Sequence, residues 1–136
     1  MRLTQNSSLR KLELRFIPLN RHFLQALFKG IEKNTYLQKL ILTHEALNYA
    51  THNEYQMLGA ALKASQSLLL IDISFNFLFD DNLEYHTEIT DCLINAPGNK
   101  LRKIKMTTTS VAIKTHYIEL KDQRPDIIIY NNGNIL

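Results

Sequence analysis

The sequence predicts an α/β chain built from repeated strand–helix units. Three observations carry this: 22 leucines among 136 residues, an apolar pattern that recurs four times, and helically spaced apolar triplets between recurrences. Leucine this frequent makes internal periodicity the first thing to test. Reading from Leu9 at offsets of 3, 5 and 10 gives Leu12, Leu14 and Leu19. The same offsets from Leu37 give Leu40, Leu42 and Leu47; from Leu68, Ile71, Ile73 and Leu78; from Leu101, Ile104, Met106 and Val111. All sixteen positions are aliphatic or methionine, although only 45% of the chain is hydrophobic. The frames begin 28, 31 and 33 residues apart, which suits one strand and one helix each.

Each element follows from its spacing. Offsets 3 and 5 place two apolar side chains on one face of a short strand, and the residues between them point away. After the first strand, Leu24, Leu27 and Ile31 fall at helical spacing; after the second, Tyr55, Leu58 and Leu62 repeat it. Both triplets lie 13, 10 and 6 residues before the next origin, so they belong to one shared unit. Thr51 with Glu54 and Asp81 with Glu84 fit the capping box, which fixes two helix starts. The third helix runs from Asp81 to Asn95, buries Leu83, Ile89 and Leu93, and stops at Ala96-Pro97-Gly98. Ile113, Tyr117 and Leu120 set a fourth helix from Val111, and Ile127–Tyr130 forms a last strand after Pro125. An origin at Arg124 puts Ile127 and Ile129 in register. The whole chain, 1–136, reads as one domain with repeats starting near 9, 37, 68 and 101.

Composition narrows the function. One cysteine excludes an internal disulfide and a cysteine-based zinc site. No apolar run approaches the ~18 residues of a membrane span, and no signal segment is visible, so a cytoplasmic location is expected. A formal charge of +3 is too small to argue for nucleic acid or membrane. No phosphate loop, nucleophile elbow or zinc helix is present, so we expect neither an enzyme nor a cofactor nor a metal. His22, His52 and His86 recur near helix starts and read as solvated outer-surface residues. Cys92 reads as a buried inert thiol beside Leu93, and Asp80-Asp81 as helix caps. Of Phe75, Phe77 and Phe79, at least two are expected to pack under their turn. Asn6-Ser7-Ser8 fits a glycosylation acceptor but is discounted without a secretory signal. Leu3 lies six residues before Leu9, as Ile31 does before Leu37, which predicts an uncapped N-terminal edge open to self-association or to a longer parent chain.

The string Leu68-Leu-Leu-Ile71-Asp-Ile73-Ser-Phe-Asn76-Phe-Leu78 resembles the leucine-rich-repeat signature L-x-x-L-x-L-x-x-N-x-L. Helical second halves and a period near 28 resemble the ribonuclease-inhibitor-like class of that family, over about Leu3 to Asn132. The resemblance implies a right-handed solenoid, a short horseshoe with about five parallel strands on the concave face and about four helices on the convex face. It also implies an asparagine that satisfies backbone groups after each strand. Here only Asn76 fills that place; Ile17, Glu45 and Thr109 stand in the other frames, so three turns must find other partners.

Between the apolar strand positions, three columns face outward. They read Lys11, Lys39, Leu70, Lys103 and Asp126; Glu13, Ile41, Asp72, Lys105 and Ile128; and Arg15, Thr43, Ser74, Thr107 and Tyr130. Neighbouring members stand ~4.8 Å apart, so Asp72 and Lys105 are expected to form a cross-strand ion pair. The charge is mixed and the face poor in aromatics, which disfavours nucleic acid. Ile41 and Leu70 ringed by Lys39, Lys103 and Lys105, with Asp72 beside them, suit a protein partner. The expected function is therefore non-enzymatic protein–protein interaction through the concave face; the alternative is a structural, self-associating fragment of a longer protein. Length, Asn and Lys content and the missing secretory signal resemble leucine-rich-repeat effectors that intracellular bacterial pathogens deliver into host cells. That resemblance implies a host protein as partner and the host cytosol as the place of action.

Overall fold

The computed structural model describes residues 8–136. Leu3 and the Asn6-Ser7 part of the acceptor motif lie outside the described residues, so the N-terminal edge is not described. The chain is a mixed α/β fold around one six-stranded sheet in sequential order, β1 (Lys11–Arg15), β2 (Lys39–Thr43), β3 (Leu70–Asp72), β4 (Lys103–Met106), β5 (Ile128–Asn131) and β6 (Asn134–Ile135). The first five strands run parallel; β6 folds back antiparallel on β5. Asn132 (φ 52°) and Gly133 (φ 81°) form that hairpin turn, where both central residues need positive φ.

Between the strands lie α1 (Arg21–Lys33), α2 (His52–Ala64), the single-turn α3 (Phe77–Asp80), α4 (Leu83–Ile94) and α5 (Val111–Gln123). Asn20, Asn82 and Ser110 cap α1, α4 and α5 by accepting from the N–H three residues on. At α2, the Glu54 carboxylate reaches back to the Thr51 N–H at 2.9 Å, as the capping box requires. The Asp81–Glu84 box does not form. Asp81 instead accepts from the Thr108 and Thr109 hydroxyls and the Thr109 N–H, tying α3 to the turn after β4.

One continuous apolar core lies between sheet and helices. Leu12, Leu40, Ile71, Ile104 and Ile129 form one row across the five parallel strands. The helices carry a stricter period of 31 residues: Leu24, Tyr55, His86 and Tyr117; then Leu27, Leu58, Ile89 and Leu120; then Ile31, Leu62, Leu93 and Arg124. Every member of these rows is buried. α2 and α4 approach so closely at Gly59 that a Cβ there would stand 2.6 Å from the Glu88 carbonyl oxygen.

The offset-10 position is interior only in the first two units; Leu78 and Val111 are exposed, and Phe79 and Ile113 take the buried places. Leu83 is also exposed, because Asn82 rather than Asp81 starts its helix. The last strand is shifted by two residues from an Arg124 origin: Lys103 pairs with Ile128 and Lys105 with Tyr130. Arg124 is buried among the helix ends instead, donating to the carbonyls of Leu93, Ala96 and Asn99 and to Asp126. It adds a second donor to the Leu93 and Ala96 carbonyls, which already accept from the Ala96 and Asn99 N–H groups.

Asn76 is fully buried and satisfies backbone groups of its own turn and of the turn after β2. Its amide donates to the Leu42, Ile73 and Ser74 carbonyls and its oxygen accepts the Leu47 N–H. The turn after β4 is served by Asn131, which brackets Thr108 at both backbone groups. After β1, the Phe16 and Leu19 N–H groups donate to the His44 and Ala46 carbonyls. No helix among the described residues is long and apolar enough to cross a membrane.

Candidate functional site

Strand alternation sends one set of side chains into the core and leaves the other on the open face of the sheet. The observed columns there are Lys11, Lys39, Leu70, Lys103 and Ile128, and Glu13, Ile41, Asp72, Lys105 and Tyr130. Five of the six residues singled out from sequence present part of their surface: Lys39, Leu70, Asp72, Lys103 and Lys105. Ile41 does not. It is 7% exposed, enclosed between Glu13 and Asp72 in adjacent strands.

The charges are not evenly matched. Glu13 pairs with Lys11 at 3.3 Å and with Arg15, and these cations, Arg15 foremost, hold its carboxyl below the ordinary value. The Asp72–Lys105 ion pair is absent. Asp72 turns to accept the Ser74 N–H at 3.0 Å, and the Lys105 ammonium lies 5.9 Å from the Tyr130 ring centroid. The two-residue shift of β5 explains this, since it brings Tyr130 rather than Ile128 beside Lys105. Among the described residues, Lys39, Lys103 and Lys105 enter no ion pair. Leu70, Ser74, Lys103, Lys105, Met106, Tyr130 and Gly133 line a hollow of about 310 Å³ on this face.

A second feature was not singled out from sequence. At offset 7 of the first three frames stand Phe16, His44 and Phe75, all with positive φ (64°, 51° and 59°). Their rings stack into a column at the carboxyl ends of β1–β3, with centroids 4.5 and 4.8 Å apart. Phe75 is 52% and Phe77 82% exposed; only Phe79 is buried, so the expectation that two of these rings pack inward fails. Within the single turn of α3, Phe79 is buried while Phe77 is exposed, and Phe75, before that turn, packs on His44 instead. The signal was present in the sequence as an aromatic ring recurring at one offset.

No family model matches this chain. No curated protein matches it either.

Among the described residues no cluster of His, Cys, Asp and Glu could hold a metal ion. His52 lies between Glu84 and Glu88 at 3.2 and 3.0 Å on the helical side, and His22 is exposed. His86 departs from the solvated reading: it is fully buried, stacked on Phe79 at 3.9 Å. Its Nε2 donates to the Asp80 carbonyl at 3.2 Å, because a carbonyl can only accept, and its Nδ1 accepts from the Tyr117 hydroxyl at 2.8 Å. Burial pulls the imidazole down to about 4. Burial also pushes the Asp80 carboxyl up to about 6, against the Thr107 hydroxyl and the Asn76 N–H. Cys92 is half-buried, and burial raises its thiol, which leaves it a poor nucleophile. Glu54 is buried; desolvation raises its carboxyl, but Arg21, Thr51 and Gln25 more than reverse this.

Proposed function

We propose that the chain is a leucine-rich-repeat solenoid of the ribonuclease-inhibitor-like class that binds another protein, without catalysis, through the open face of its sheet. The in-register apolar row from Leu12 to Ile129 and the backbone bonds of Asn76 support the repeat reading. The observation that carries the functional reading is the unbalanced face: Lys39, Lys103 and Lys105 surround Leu70 and Ile128, and Asp72 alone opposes them. Such a surface favours a partner segment that pairs acidic residues with one large apolar side chain. The apolar contact supplies desolvation energy, and the lysines steer and select. Delivery into a host cell as a bacterial effector is part of the same proposal and would make that partner a host protein.

The test is selection of displayed random peptides on the folded protein. Enrichment of Asp and Glu around a Leu, Phe or Trp is the expected result. The double variant Leu70→Glu, Lys103→Glu should lose those peptides while keeping the wild-type circular dichroism and melting temperature. Undiminished binding to the double variant would move the interface to the helices or loops and overturn the reading.

A further inference from the structure

We infer that the aromatic column at the carboxyl ends of β1–β3 is a second docking surface, for an arginine side chain of an extended peptide. Phe16, His44, Phe75 and Phe77, with Glu45 and Asp80, line an open groove of about 470 Å³. Phe16 is 67% and Phe77 82% exposed, and their chain neighbours Ile17 and Leu78 are exposed at 68% and 56%. Contiguous exposed apolar surface of this kind is unusual away from a binding site.

The backbone holds the rings out. Phe16, His44 and Phe75 occupy the left-handed region, and Glu45 joins them at φ 80°. A bulky residue there is strained, and such strain persists only where surrounding structure over-determines it. Here the Phe16 N–H donates to the His44 carbonyl, the His44 N–H to the Ser74 carbonyl and the Glu45 N–H to the Phe75 carbonyl. The column is therefore preformed.

Charge selects the occupant. Glu45 and Asp80 enter no ion pair among the described residues, so the groove sets two uncompensated carboxylates beside the largely exposed Phe16 and Phe77 rings. The Asp80 carboxylate is oriented by the Thr107 hydroxyl at 2.8 Å and the Asn76 N–H at 3.2 Å. Aromatic faces attract cations through the ring quadrupole. A guanidinium is planar, stacks on rings, is weakly hydrated and bonds carboxylates through its fork, so arginine fits this open groove, with its exposed Phe16 and Phe77 rings and two carboxylates, better than lysine. The groove is opposite in sign to the lysine-rich sheet face, and its occupancy does not depend on that face being a binding site.

The experiment titrates an acetylated, amidated pentapeptide, Gly-Leu-Arg-Leu-Gly, against a copy with citrulline in place of arginine, into isotopically labelled protein. The arginine peptide should shift the Phe16, Phe75 and Phe77 resonances and bind about tenfold tighter than the citrulline copy. Phe77→Ala, at an exposed ring, should remove most of the binding with the fold intact. Glu45→Gln should weaken only the arginine peptide. The Leu70→Glu, Lys103→Glu variant should bind as the wild type does. Equal affinity for citrulline, shifts confined to the lysine face, or no binding would overturn the inference. So would a concentration-dependent dimer abolished by Phe77→Glu, since the column would then seat a second copy of the chain.

Discussion

His86 stands in the row of Leu24, Tyr55 and Tyr117, where its neighbours are apolar or aromatic, and this sets its chemistry. Its folded value of about 4 lies below the ~6.5 of an unfolded histidine. The neutral ring therefore contributes fully above pH 6.5, and its contribution is lost as pH falls toward 4. His86→Leu keeps the packing but leaves the Tyr117 hydroxyl and Asp80 carbonyl unpartnered, so it should be less stable at pH 7 by about 1–3 kcal/mol. That deficit should shrink by up to roughly 3 kcal/mol between pH 6.5 and 4, as the wild type alone bears the cost of charging the ring. Urea denaturation of both proteins across this range checks it; a constant difference would mean the ring is not held neutral. Position near a helix start predicts a solvated histidine, whereas the 31-residue helical row sets His86 among buried residues.

At the scale of elements, the contact between α2 and α4 turns on Gly59. Ala is a better helix former than Gly by up to ~1 kcal/mol, so propensity alone predicts that Gly59→Ala stabilises. The close approach reverses the sign. The added Cβ would meet the backbone oxygen of Glu88 at 2.6 Å and the Cys92 sulfur at 3.0 Å, and the nearer atom cannot rotate away. A net loss of about 1–2 kcal/mol is expected from chemical denaturation, and Cys92→Ala should not restore it. Element positions were legible wherever interior places are apolar: the triplets of α1, α2 and α5 sit as their spacing predicts. They were illegible where polar residues take interior places. Asn131 occupies the inward position that Met106 holds in β4, and Arg124 the inward row of Ile31, so an apolar template slid the last strand by two residues. Period-two alternation across β1–β4 places Lys39, Leu70, Asp72, Lys103 and Lys105 on the open face, whereas Ile41 is buried there between its neighbours, and Tyr130 shifts column with its strand.

Across the whole molecule, each helix of three or more turns packs on the next, α1 on α2, α2 on α4 and α4 on α5, over one continuous core. No gap in that core separates one half of the described chain from the other. Unfolding should therefore be cooperative, with backbone ellipticity and tyrosine fluorescence giving coincident urea transitions; two separated midpoints would show that the units melt independently. The net charge of +3 conceals a division between a lysine-bearing sheet face and a carboxylate-bearing aromatic column. The left-handed residues of that column have a further consequence. Glycine tolerates such backbone at no steric cost, so a redesign guided by thermostability alone would install it at Phe16, His44 and Phe75. The chain would become sturdier and lose its ladder of rings, because at these three places robustness and recognition make opposite demands on one dihedral angle.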